Sequence, residues 1–104
     1  MFERYLAKRL VRRALAEQKT QRYVCSSLQL ELRRYQTSLE IVFLETIPNN
    51  KGIGRVVIED LQAYCHTNNL KLNATYVSES AIGFYEHLGF VYRDPHATWT
   101  PART

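Results

Sequence analysis

The sequence predicts an α/β fold, a mixed central sheet flanked by helices. Three observations point there. An apolar stripe of fourfold spacing opens the chain, two β-patterned segments follow it, and helical and strand patterns then alternate to the end. The expected order is α-β-β-α-β-α-β within a single domain spanning residues 1–104.

Phe2 to Gln18 reads as the first helix. Phe2, Leu6, Leu10 and Ala14 recur every fourth residue, and Val11 and Leu15 widen the stripe. Arg4, Lys8 and Arg12 lie off it. Leu28, Leu30 and Leu32 alternate with Gln29, Glu31 and Arg33, the period of a half-buried strand. Arg34 to Ser38 forms the turn. Leu39 to Ile47 is more continuously apolar and suits a central strand covered on both faces.

Pro48 to Gly54 reads as a loop. Arg55 to Thr67 is a helix whose apolar side carries Val57, Ile58, Leu61, Tyr64 and Cys65. Asn68 and Asn69 supply a left-handed C-terminal cap. Leu70 to Val77 is a strand. Ser78 suits an N-cap and Glu79 the positive end of the helix Ala81 to Leu88. Gly89 stops that helix. Phe90 to Arg93 is a short strand, and Thr98 to Thr100 is a weak strand candidate between Pro95 and Pro101.

The chain has 104 residues, 45% hydrophobic and 23% charged, which excludes disorder as its general state. No apolar run is long enough to span a membrane. The charged N-terminus lacks the apolar core of a secretory signal. Two cysteines, Cys25 and Cys65, exclude a disulfide scaffold, and a cytoplasmic location is expected. The histidines have no metal-ligand spacing with them, so no metal is expected. The net charge of +4 is concentrated early. Residues 1–22 hold seven Lys/Arg against Glu3 and Glu17. Such a segment is either a solvated helix face or an attractor of an anionic partner. Nucleic acid is not expected, because no recognised binding motif is present and aromatic interleaving is thin.

Lys51-Gly-Ile-Gly-Arg55 joins strand to helix. Two glycines let backbone N–H groups turn toward one point, the helix aims its positive end there, and Lys51 and Arg55 add charge. This suits a pyrophosphate, although a Gly-x-Gly at a helix start is often only a tight turn. The third glycine of a dinucleotide fingerprint and the Gly-Lys-Ser/Thr ending of a Walker loop are both absent.

Asn49-Asn-Lys-Gly-Ile-Gly54 resembles motif A of the GNAT superfamily of N-acetyltransferases, Gln/Arg-x-x-Gly-x-Gly/Ala. Ser80-Ala-Ile-Gly-Phe-Tyr-Glu-His-Leu-Gly-Phe90 resembles its motif B, and Glu40-Ile-Val-Phe43 is similar to the fourth strand of the histone-acetyltransferase branch. The likeness covers residues 38–93, with motif A near 49–67 and motif B near 78–90. Asn49 stands where the pattern asks for Gln or Arg, and Ser78 where motif B often has Asn. One helix and one strand fill the space where the family usually builds an acceptor wall. The chain therefore looks like a short, trimmed GNAT domain.

The resemblance implies acetyl transfer from acetyl-CoA to a primary amine. It implies acyl-CoA contacts from Ile47, Asn49, Asn50, Lys51, Gly52, Ile53, Gly54, Arg55 and Ser78. Glu40 is the implied general base, with Glu45 second, and Tyr85 the implied proton donor to the leaving thiolate. The alternative for Glu40 is an open sheet face or an arginine pair with Arg33 or Arg34. The alternative for Tyr85 is packing with Ile82 and Leu88. The competing reading is a catalytically silent protein of this fold that binds and modulates a partner enzyme, such as a viral or mobile-element accessory protein. Its partner, or a protein substrate, is then a protein, and an open sheet edge also allows a homodimer.

Overall fold

A computed structural model describes residues 2–46 and 51–102. Helix α1 spans Phe2–Glu17, and strands β1 (Arg22–Cys25), β2 (Leu28–Arg34) and β3 (Ser38–Thr46) follow. Helix α2 spans Lys51–Asn68 and leads into β4 (Lys71–Ala74). A 3-10 turn at Glu79–Ala81 runs into α3 (Ile82–His87), and β5 (Val91–Arg93) and β6 (His96–Trp99) close the fold. The six strands form one sheet in the order β1-β2-β3-β4-β6-β5. Among the described residues only β3 and β4 pair in parallel, so the sheet is mixed, as expected.

All three helices pack on one face. Ala7, Leu10, Val11 and Ala14 of α1 and Ile53, Val57, Ile58, Leu61 and Cys65 of α2 share a core with Leu28, Leu30, Leu39, Ile41 and Leu72 of the sheet. The spacing of both helical sets is that of one apolar stripe. On α3, Tyr85 joins the same core, and the side chain of Gln62 in α2 donates to the Leu88 carbonyl at 2.8 Å.

The expectation that β3 is covered on both faces is corrected. In register, Leu32 faces Ile41 while Glu31 faces Phe43, so Val42 is an extra residue, a β-bulge. The bulge shifts the alternation by one. Leu39 and Ile41 point to the helices before it, and Leu44 does so after it, opposite buried Leu30. The other face carries Arg22, Glu31, Arg33 and Glu40, and no described element covers it. There the Arg22 guanidinium stacks 3.7 Å from the Phe43 ring centroid and lies 3.5 Å from Glu31.

Other boundaries differ too. Lys51 to Gly54 belongs to α2, not to a loop; Ile53 is buried and extends the α2 stripe one turn earlier. The first of the β-patterned segments holds an additional short strand, β1, and β4 is shorter than Leu70–Val77. The weak tail candidate is a true strand shifted to His96–Trp99. Asn69 (φ 53°) and Gly89 (φ 91°) adopt the left-handed conformation expected of helix terminators. Among the described residues, no helix is long and apolar enough to cross a membrane.

Candidate functional site

Strands β3 and β4 part company halfway along β3. Their register ends at Ile41 opposite Ala74, and both the N–H and the hydroxyl of Thr75 go to the Ile41 carbonyl, at 3.3 and 3.4 Å. The chain then turns at Tyr76, and the Val77 N–H bonds the Pro95 carbonyl at 2.9 Å, away from β3. Val42 to Thr46 therefore continue without a β4 partner, leaving a strand edge able to receive hydrogen bonds from an extended ligand.

A cleft of about 940 Å³ opens at that edge. Leu44 to Thr46 form one wall, Gly54 and Arg55 of α2 the base, and Ser80 to Leu88 the other wall, including Phe84, Tyr85 and His87. Its size falls in the range of small-molecule and cofactor sites.

Tyr85 is held by ring contacts. It meets Phe84 edge-on at 5.2 Å and Phe90 at 5.1 Å between centroids. Burial pushes its phenol up to about 12, because the charged form would lose its water. Among the described residues no hydrogen bond is made to this hydroxyl, and no fully enclosed side-chain polar atom lacks a partner. Tyr85 lines the cleft, and its hydroxyl is not fully enclosed. A neutral phenol there is a proton donor rather than a base.

The two residues implied as an acid–base pair are not brought together in the cleft. Tyr85 lines it; Glu40 does not. Glu40 sits half-buried on the uncovered sheet face, opposite Arg33 and Asn73 in register, and accepts from the Tyr35 hydroxyl at 3.4 Å. Arg33 donates to the same hydroxyl at 3.5 Å, so an arginine link exists through Tyr35. Glu45, the second carboxylate, is exposed and does line the cleft.

Of the remaining expected ligand contacts, Gly54 and Arg55 line the cleft. Ile53 is 1% exposed and its side chain belongs to the core. Gly54 has a packing role that the sequence reading assigned to phosphate approach: a Cβ there would lie 3.3 Å from Phe84 Cζ. Arg55 pairs with Glu59 at 3.2 Å one turn along the exposed side of α2. Gly52 lies in the first turn of α2, where the helix end carries partial positive charge. Ser78 has the extended geometry of an N-cap but makes no side-chain cap; its hydroxyl is 3.3 Å from that of Ser80, and it lies outside the cleft lining. Ile47, Asn49 and Asn50, and the Lys51 side chain, lie outside the described residues. His87 of α3, for which the sequence favours a solvated face over a ligand contact, and Ser80 of the preceding 3-10 turn, which the sequence reading did not place at the site, both line the cleft. Among the described residues no cluster of His, Cys, Asp and Glu has the form of a metal site.

No protein-family model and no curated protein sequence matches the chain. Among solved structures, the crystal structure of anti-CRISPR protein AcrVA5 is similar to it, with a TM-score of 0.66 at 16% sequence identity. The likeness covers 77% of this chain and 97% of that one, and it is a likeness of fold.

Proposed function

We propose that the chain is a small accessory protein that binds and modulates a protein partner. The observation that carries this reading is that a known anti-CRISPR protein fits onto this fold along nearly all of its own length. Two further features support it. No described element covers one face of the sheet, and Arg9 and Arg12 on the outer α1 surface have no carboxylate partner among the described residues. Fold alone does not fix an activity. The test is size-exclusion chromatography of the full chain after incubation with host-cell extract. A stoichiometric complex with one identified protein, whose activity then changes, supports the reading; no such complex overturns it.

A second reading is favoured by the cleft. We infer that it receives acetyl-CoA and that the chain transfers acetyl to a primary amine, as the likeness to GNAT motifs A and B implies. The group would supply an acetyl thioester with a thiolate as leaving group. The unpaired edge of Val42 to Thr46 fits the amides of an extended arm, and Arg55 with the positive end of α2 fits phosphate. Tyr85 would hold a proton for the thiolate. Proton removal from the ammonium falls to Glu45, which lines the cleft, ahead of Glu40, which is engaged by Tyr35. The two readings join if the acceptor amine belongs to the partner protein. Melting with millimolar acetyl-CoA, CoA and ATP tests this reading. A ligand at a hundred times its dissociation constant adds about 2.7 kcal/mol, a visible shift. Shifts with both CoA species but not ATP support it, and no shift removes it.

A further inference from the structure

Helix α1 turns two different faces to its surroundings. Ala7, Leu10, Val11 and Ala14 are buried in the core. On the opposite side, Phe2, Tyr5, Arg9 and Arg12 follow one another at three- and four-residue steps, so they form one outward stripe. Phe2 is 70% and Tyr5 56% exposed, unusual for a helix that already has a core to bury its apolar residues in. The Arg9 guanidinium lies 5.8 Å from the Tyr5 ring centroid. Arg13 beside the stripe is engaged, with Glu17 at 3.2 Å and over the Tyr23 ring at 5.3 Å. Arg9 and Arg12 have no carboxylate partner among the described residues.

We propose that this stripe docks on an acidic protein surface that carries an apolar recess, with Phe2 and Tyr5 seated in the recess and Arg9 and Arg12 on its carboxylates. The proposal rests on the partner-binding reading above and names the chemistry of that partner. Anchors at such steps along one helix face are how a helix engages a partner's groove. Aromatic residues and arginine are the types enriched where protein interfaces hold most of their energy. The order along the helix favours protein over nucleic acid. Single-strand binders run aromatics and cations together along a concave channel. Here the surface is convex, and the aromatics occupy one end and the arginines the other. A membrane-surface helix would offer its apolar face to lipid, and this one has buried that face.

The test is fluorescence anisotropy of the full chain with four probes at equal ionic strength: a labelled Glu/Tyr copolymer, polyglutamate, oligothymidylate, and vesicles of phosphatidylcholine and phosphatidylserine. The copolymer is expected to bind most tightly. The double variant Arg9→Gln/Arg12→Gln should lose about tenfold in affinity for both polypeptides. Phe2→Ser/Tyr5→Ser should lose affinity for the copolymer and not for polyglutamate, a split that charge alone does not produce. All four positions are exposed, and unchanged melting temperatures establish that the variants fold. Tighter binding to oligothymidylate or to vesicles overturns the proposal, as do variants that bind like the parent chain. If those variants also form the chromatographic complex unchanged, the docking proposal falls and the partner reading stands; if no protein forms a complex at all, the partner reading falls with it.

Discussion

Gly54 and Phe84 share one space: a Cβ on the glycine would stand 3.3 Å from Cζ of the ring and 3.6 Å from Cε1. The first turn of α2 and the wall of the cleft are therefore fitted to each other. Gly54→Ala gains helix propensity of about 1 kcal/mol and displaces Phe84 by a few tenths of an ångström. The ring is half-buried and has the cleft to move into. The variant should melt within a few degrees of the parent chain, while the acetyl-CoA shift shrinks. A full shift would mean that the cleft wall does not touch the ligand.

Tyr85→Phe removes a hydroxyl that has no hydrogen-bond partner among the described residues. Stability should change by less than about 1 kcal/mol, since no hydrogen bond is broken. If the chain transfers acetyl groups, turnover should fall about a hundredfold with the CoA-induced shift kept. Denaturant unfolding and a thiol-release assay separate the two effects. An unchanged rate would remove Tyr85 as proton donor.

Glu45→Gln and Glu40→Gln distinguish the two carboxylates. The first should reduce transfer about tenfold or more, and the second should leave it within about twofold. Glu40→Gln should cost under about 1 kcal/mol, because its contact with Tyr35 is exposed. The reverse pattern of rates would return the base to Glu40.

Alkaline pH should destabilise the fold in two overlapping stages. Burial raises the Cys65 thiol from 9.0 to about 11 and the Tyr85 phenol from 10.0 to about 12. The folded chain thus keeps protons that the unfolded chain releases. The stabilisation is complete below pH 9, declines from pH 9 to 11 through Cys65, and from pH 10 to 12 through Tyr85. Urea midpoints between pH 8 and 11 should fall, and Cys65→Val should flatten the earlier part of that fall.

Tyr23→Phe should cost about 1–2 kcal/mol. The buried Tyr23 ring sends its hydroxyl to the Glu17 carboxylate at 2.6 Å, tying the end of α1 to β1. That bond holds the Glu17 carboxyl below its usual range, so its contribution is present above about pH 4.5 and is lost as pH falls through the lowered value. Chemical denaturation at pH 7 and pH 3 should show the variant's deficit at the first and little at the second.

The alternation of β2, the stripe of α2, that of α1 from Leu10 onward and the stops at Asn69 and Gly89 were legible because each follows a local period or a backbone rule, whereas Phe2, read as the start of the α1 stripe, is 70% exposed on the other side of the helix. What escaped was set by distant partners. The two glycines of α2 read as loop-formers, yet Gly54 is small because Phe84, thirty residues on, needs the room. The apolar run of β3 read as a doubly covered strand because a bulge leaves no mark in the period. β1 is four residues long and earns its place only by pairing with β2. At the site, Tyr85 was found through its motif, whereas Glu40 is kept from the cleft by its position along β3, in the stretch still paired with β4 opposite Asn73.

The extra residue at Val42 works as a phase shifter. Remove it, and every side chain from Phe43 onward trades faces: Leu44 goes to water, Phe43 turns to the helices, and the cleft loses its wall. Length change in β3 is therefore forbidden one residue at a time, and any natural drift in this strand must come in steps of two or be matched by a compensating slip in β2.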